Sequence, residues 1–256
     1  MNASARSILP RLDGRALDFA KAMAAVLMVV DHINTIWFDG YIMEMVMLGR
    51  VVFPVFCYAV AVALLRNKAK DHTKYFTSLI ILAFLCEPVY EIAHLSDELN
   101  IIFTLAFGVF VADRARKLKD WQIYLLFAVA AVFAALHDCP LEFGLPGVLL
   151  PTAILLVLEC RYRFIPGLVL MLFAINLGGV RPGIPHLAGH SMISVDAFKL
   201  AAVTGAFAAL GPLFIIVLSN ELPKTGRFLS RYFLHVFYPA HLLIIWALGL
   251  YFFPLK

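Results

Sequence analysis

Several ionisable side chains fall inside the first long apolar stretch of the chain, residues 16–37. A helix turns by about 100° per residue, so Asp18, Lys21 and His32 lie within one narrow arc. Asp31 is displaced from that arc and would face a different neighbour. Imidazole is the side chain best suited to moving protons near neutral pH. The stripe therefore indicates acid–base chemistry. The alternative interpretation is a set of polar contacts between packed helices.

Arg50 opens the second apolar stretch, residues 46–65, and is expected to lie near Asp31. The connection between the first two stretches is short, which makes them neighbours in space. Arg50 would then pair with Asp31, and either residue could orient His32 or stabilise a developing oxyanion. The alternative is an arginine that extends to the membrane surface.

The third stretch, residues 74–94, carries Glu87, Glu91 and His94 on one helical face. Such a set could ligate a metal, but no second stretch supplies a matching set. The four cysteines also lack metal-ligand spacing, so no metal is expected. Glu87 is instead predicted to contact a substrate, together with Asn100 at the start of the next stretch.

The last stretch, residues 231–253, begins with Arg231, His235 and Tyr238 along one helical stripe. The stripe occupies the half of the helix where an anionic cofactor could enter from the cytoplasm. The alternative is a helix kinked at Pro239 whose polar side chains reach the interface.

The composition predicts that these side chains are carried by membrane helices. Apolar residues make up 62% of the 256 residues and charged residues 15%, whereas soluble domains average about 45–50% and 25%. We therefore predict an all-α integral membrane protein, a polytopic bundle of about nine transmembrane helices, with no nucleic-acid partner. A soluble enzyme is excluded. The stretches lie near 16–37, 46–65, 74–94, 99–113, 121–137, 145–159, 163–179, 197–219 and 231–253.

The distribution of positive charge predicts the orientation of this bundle. Most of the 21 Lys and Arg residues fall in alternate connections, counted from the N-terminus, and such residues mark the cytoplasmic side. The chain is therefore predicted to be N-in and C-out, in the bacterial inner membrane. Residues 1–15 would form a cytoplasmic segment without a removable signal peptide. Residues 16–256 would form one transmembrane domain.

Four segments, in order, resemble signature segments of the TraX family. The third stretch departs from the family pattern, because Leu85-Cys86-Glu87-Pro88 stands where members often have Ser-Gln-hydrophobic-Pro. The matching segments are Asp31-His32-Ile33, Gly49-Arg50-Val51-Val52-Phe53-Pro54-Val55-Phe56, Asn100-Ile101-Ile102-Phe103-Thr104-Leu105 and Phe237-Tyr238-Pro239-Ala240-His241-Leu242.

The resemblance implies an inner-membrane acetyl-CoA-dependent N-acetyltransferase that modifies the N-terminal amine of a pilin. The acceptor would be a pilin or a similar membrane-anchored protein, reached from the periplasmic side. By position, His32 matches the intramembrane histidine that is central in related transmembrane acyltransferases, with Asp31 and Arg50 beside it. The resemblance leaves open direct transfer or an acetyl-imidazole intermediate. Cations at the inner rim, with His235 and Tyr238, would hold acetyl-CoA: Lys21, Lys74, Arg114 and Arg231.

Two other functions fit parts of the sequence. An O-acetyltransferase acting on an envelope sugar would use the same donor, although the short outer connections give little room for a glycan site. A proton-coupled transporter would also place Asp, Glu and His inside the membrane. Transporters often show inverted repeats, and the sequence shows none.

The predicted orientation can be tested with a topology reporter fused after residue 256. We expect periplasmic activity, because an odd number of crossings from a cytoplasmic N-terminus ends outside. A fusion after Arg116 is the matched control and should report the cytoplasm. A cytoplasmic signal from the C-terminal fusion would contradict the orientation and move the proposed site to the other membrane face.

Overall fold

The computed structural model describes residues 9–10, 12–40, 42–66, 72–94, 98–137, 139–177, 195–223, 226–230 and 232–252. Within these ranges the chain is helical, and an isolated bridge joins Leu99 to Leu141. All nine predicted stretches contain helix, so the all-α prediction is confirmed for the described residues. The segment 1–15 lies mostly outside them, but Leu12 is fully buried.

From α1 to α8 the helices follow one another through short connections. A short 3₁₀ turn, Tyr162–Phe164, precedes α8. The α-helices are α1 Gly14–Phe38, α2 Met43–Gly49, α3 Val52–Arg66, α4 Thr73–His94, α5 Ile101–Ala115, α6 Asp120–Leu136, α7 Gly144–Leu158, α8 Ile165–Ala174, α9 Val195–Asn220 and α10 Phe233–Phe252.

Four of these segments are long and apolar enough to cross a membrane by length and composition: Met43–Arg66, Thr73–His94, Lys199–Asn220 and Phe233–Phe252. Each has at least 20 residues, and about 20 residues are needed to span the hydrocarbon core. This supports a multi-pass membrane protein. Helices α5 to α8 have between 10 and 17 residues, which is short for a full crossing. The count of about nine crossings therefore stays a prediction.

The relative directions of the helices agree with the alternation that the charges predict. Gly108 of α5 faces Pro151 of α7, and Arg116 at the end of α5 pairs with Glu159 at the end of α7 at 3.0 Å. These two helices therefore run parallel, and α6, which follows α5 in the chain, packs against α7 and α8. Helices α1 and α10 are also parallel, because His32 contacts His241 and the indole nitrogen of Trp37 donates to the carbonyl of Ile245 at 2.9 Å.

Helix α7 forms the centre of the bundle, because all residues from Pro146 to Leu158 are buried. Close approach to its neighbours requires small residues. A Cβ added at Gly147 would meet Phe143 and Thr104 at 2.7 and 3.0 Å. The outer helices instead expose large apolar side chains, such as Phe84, Phe214 and Tyr251. In lipid these outward faces have no need of further burial.

Asp18 of α1 holds the segment of chain that precedes α10. Its side chain is 1% exposed and accepts hydrogen bonds from the backbone N–H groups of Phe228 and Leu229 at 3.2 and 3.1 Å. The guanidinium of Arg227 lies 3.3 Å away. Asp18 therefore has a positioning role between α1 and α10.

We expect Asp18→Asn to destabilise the protein by on the order of 2 kcal/mol, because hydrogen bonds to a charged group are worth about 1.5–3 kcal/mol. Thermal unfolding in detergent measures the loss. Glu44→Gln, which removes an exposed carboxylate on α2, is the matched control and should leave the transition in place. An unchanged transition for Asp18→Asn would show that the entry of α10 is held by other contacts.

Candidate active site

Three histidines from three helices meet inside the bundle. His32 of α1, His94 of α4 and His241 of α10 form this histidine cluster. The ring centroids of His32 and His94 are 5.0 Å apart, and those of His32 and His241 are 4.9 Å apart. His32 and His241 are buried, at 7% and 5% exposure.

A hydrogen-bonded chain fixes the proton positions in the cluster. Nδ1 of His241 lies 2.8 Å from the carbonyl oxygen of Phe237, and because a carbonyl only accepts, Nδ1 carries the proton. In neutral His241 the other nitrogen, Nε2, must then accept. It lies 2.7 Å from Nδ1 of His32, which therefore donates. Nε2 of neutral His32 is left with its lone pair, and this atom is available as a base.

Tyr238 lies beside the same cluster. Its ring is 6.4 Å from that of His32 and 5.7 Å from that of His241, and the residue is 5% exposed. Its hydroxyl is buried and has no hydrogen-bond partner among the described residues, and the same holds for Nε2 of His94. Buried polar atoms are usually hydrogen-bonded, so these two are exceptions within the described part of the chain.

Asp31, on a different side of α1 from His32, lies near Arg50, which follows α2. The carboxylate of Asp31 packs against Gly49, where an added Cβ would overlap it. Arg50 is within electrostatic range of both Asp31 and Glu142, and its guanidinium lies 6.0 Å from the ring centre of Phe143. The structure thus brings Asp31 and Arg50 together, while the hydrogen-bond partner of His32 is His241.

Glu142, in the loop before α7, is a further acid near this region. Its pKa is raised to about 8, chiefly by burial and then by Glu98 and Asp31, while Arg50 opposes the shift. It also forms a side-chain hydrogen bond with Tyr90. At neutral pH the Glu142 carboxyl is therefore mostly protonated.

Glu87 and Asn100 are in direct contact, next to the start of α5. The Asn100 side chain donates to Glu87 and to the carbonyl of Ala83, and its own oxygen accepts from the N–H of Ile102 at 2.9 Å. Asn100 is thus the N-cap of α5, and Glu87 is held by it. Their predicted role in binding a substrate stays a prediction.

Two of the cations predicted to hold acetyl-CoA, Lys21 and Arg114, have acidic neighbours. Lys21 is within electrostatic range of Asp18, Arg66 and Arg227. Arg114 pairs with its neighbour Asp113 at 2.6 Å.

The other residues predicted to hold acetyl-CoA are placed as follows. Lys74 is exposed in the first turn of α4, and His235 has its ring 6.1 Å from that of Tyr232. Arg231 lies outside the described residues. Within the described ranges, no group of three or more His, Cys, Asp or Glu residues could hold a metal.

Comparison with known proteins decides the family. A family model described as TraX protein matches residues 16–249, which is most of the chain. The chain belongs to the TraX family. The match covers every helix that carries a site residue, from His32 in α1 to His241 in α10.

One curated relative aligns with nearly the whole chain. The chain is 26% identical, over 252 residues, to a probable fimbrial assembly protein FimC, serogroup H1, from Dichelobacter nodosus. The alignment covers 90% of this chain and 96% of that protein. No solved structure matches.

The sequence analysis did not select His241 or His94 as catalytic residues. His241 belongs to the fourth segment of the TraX resemblance, and His94 lies on the helical face of Glu87, so both signals were present. The sequence does not show which helices are in contact. His32 and His241 are separated by 209 residues, so their approach could not be predicted from their positions in the chain.

The packing of Asp31 against Gly49 predicts a strict size limit at residue 49. Gly49→Ala should destabilise the protein by about 1–3 kcal/mol, the usual cost of overpacking, because the new methyl group displaces the Asp31 carboxylate. Thermal unfolding in detergent measures this. Leu48→Ala, at an exposed neighbouring position, should change stability by at most about 0.5 kcal/mol. Equal melting temperatures for Gly49→Ala and Leu48→Ala would contradict the packing of Asp31 against Gly49.

Proposed function

We propose that this protein is an inner-membrane acetyltransferase that moves the acetyl group of acetyl-CoA to the N-terminal amine of a membrane-anchored pilin or pilin-like protein. The observation that supports it best is the buried hydrogen bond from His32 to His241, which leaves Nε2 of His32 as a base. The TraX family is associated with pilin acetylation, and the curated relative is described as a fimbrial assembly protein.

His32 has the task of removing a proton from the acceptor. An N-terminal amine has a pKa of about 7.7–8.0, so it is largely protonated at neutral pH and must lose a proton before or during attack. The neutral amine that attacks still carries a proton that must leave as the amide forms, and Nε2 of His32 takes that second proton. His241 accepts from Nδ1 of His32 and so stabilises the imidazolium that forms. Because His32 acts as a base in this arrangement, it favours direct transfer of the acetyl group to the amine over an acetyl-imidazole intermediate.

The donor enters from the cytoplasmic end of the same helix. Lys21 and His32 are eleven positions apart in α1, or roughly 16 Å along the axis. An extended pantetheine arm has comparable reach, so phosphates near Lys21 and a thioester near His32 fit one molecule. Lys74, Arg114, Arg231 and His235 are the further candidates for the phosphate end. The acceptor arrives from the periplasmic side, near Asp31, Arg50, Glu87 and Asn100.

A proton-coupled transporter is the second candidate, because a buried pair of hydrogen-bonded histidines also suits a proton relay. The two functions differ in their ligand. Purified protein that is stabilised against heat by CoA supports the transferase, since a proton relay needs no CoA site. Protection by CoA should weaken when Lys21 and Arg231 are neutralised together.

His32→Ala is expected to lower the rate of acetyl transfer by roughly 10²–10⁴-fold, the usual worth of a positioned general base. The assay is mass spectrometry of a pilin N-terminal peptide in membrane mimetic, with purified protein and acetyl-CoA. CoA binding and protein level should stay near those of the wild type. His32→Gln, which keeps much of the shape, should lose activity to a similar extent because the amide is not a base.

His137→Gln is the matched control, because this histidine is exposed at the end of α6. Its activity should equal that of the wild type. Full activity of either His32 variant, at matched protein level, would remove His32 from the mechanism.

A further inference from the structure

Tyr238 is one of two residues beside His32, with His94, that have a buried polar atom without a hydrogen-bond partner among the described residues. Its hydroxyl is inaccessible and has no hydrogen-bond partner among the described residues, although its ring packs against His32 and His241. Buried polar groups without partners are rare, because they lose their bonds to water and gain none in return. Such a group beside a catalytic base is expected to meet its partner only when a ligand is bound.

The described tyrosines show how unusual this hydroxyl is. The Tyr58 hydroxyl bonds to the carbonyl of Pro10 and accepts from the N–H of Leu12. The Tyr124 hydroxyl donates to the carbonyl of Arg163, and Tyr90 bonds to Glu142. The fold therefore satisfies other tyrosine hydroxyls within the protein itself, whereas that of Tyr238 is kept open beside His32.

We propose that the Tyr238 hydroxyl donates a hydrogen bond to the thioester carbonyl oxygen as that oxygen becomes negative during acetyl transfer. This inference rests on the proposed function. It changes the predicted role of Tyr238 from holding the donor to stabilising the transition state. A donor aimed at developing charge in a water-poor site contributes chiefly to the rate.

The step balances as follows. The amine nitrogen forms a bond to the carbonyl carbon, and the C=O π electrons move to oxygen, where Tyr238 donates. A protonated amine first releases one proton to solvent, and His32 takes the second proton from the nitrogen as the C–N bond forms. The oxyanion then re-forms the carbonyl, the C–S bond breaks, and the leaving CoA thiolate takes the proton from His32. The products are an acetylated amine and free CoA.

The acids near Tyr238 do not oppose a negative oxygen strongly. Glu142 and Glu87 are within electrostatic range of Tyr238. Asn100 binds the Glu87 carboxylate with both its side-chain and backbone N–H groups. Glu142, with its pKa raised to about 8, is mostly uncharged at neutral pH. The Tyr238 hydroxyl, which has no partner among the described residues, is therefore free to donate to the developing oxyanion.

Tyr238→Phe tests the inference, because it removes only the hydroxyl. We expect kcat for acetylation of the pilin peptide to fall by about 10²–10³-fold, the usual effect of losing one oxyanion donor. The KM for acetyl-CoA should be unchanged, since the hydrogen bond strengthens only in the transition state. The melting temperature in detergent without ligand should rise, because a buried hydroxyl without a partner is removed.

Tyr58→Phe is the matched control, because it removes a hydroxyl that is bonded within the protein. It should lower the melting temperature and leave kcat of the folded protein unchanged. Tyr238→Phe is thus expected to raise the melting temperature and lower kcat. Tyr58→Phe is expected to lower the melting temperature and leave kcat unchanged.

Three results would overturn the inference. The first is an unchanged kcat for Tyr238→Phe. The second is a raised KM for acetyl-CoA with little change in kcat, which would return Tyr238 to donor binding. The third is a fall in melting temperature like that of Tyr58→Phe, which would show a bonded hydroxyl. Wild-type protein that transfers no acetyl group at all would overturn the proposed function itself, so the two failures are distinguishable.

Discussion

The hydrogen bond between His32 and His241 is the interaction on which the rest of the site depends. It joins the first helix to the last. Because the carbonyl of Phe237 fixes the proton on Nδ1 of His241, it also determines, through His241, which nitrogen of His32 carries no proton. The contact of Asp18 with the backbone before α10 holds the same two helices at their other end. Together these contacts fix both the register and the direction of α10 against α1.

The bilayer explains why this arrangement can be built from so few polar residues. Lipid accepts the apolar outer faces of α4, α9 and α10, so their sequences are free to be hydrophobic on nearly every side. Polar side chains are then kept only where another helix or a ligand satisfies them. Asn100 shows the first case, because it caps α5 and holds Glu87 at once. Tyr238 is the proposed example of the second.

The sequence predicted the helices well and the site only in part. Apolar length alone located the helices, because spanning segments are set by the thickness of the membrane. Helical periodicity placed His32 and Lys21 on one face, and the short connection placed Arg50 near Asp31. Periodicity within a helix says nothing about which helices touch, so the approach of His94 and His241 to His32 required the structure. For the same reason Asp18 was seen as part of a stripe and not as an anchor for α10.

The pairing of α1 with α10 also has a consequence for biogenesis. The two histidines are 209 residues apart, and ribosomes add about 5–20 residues per second. The first helix therefore waits on the order of 10–40 s in the membrane before its partner is synthesised. Under the proposed function the histidine pair is incomplete during that interval, so a chain that stalls or is cleaved before α10 is expected to transfer no acetyl group. Acetyl transfer would therefore report that the chain has been inserted as far as α10.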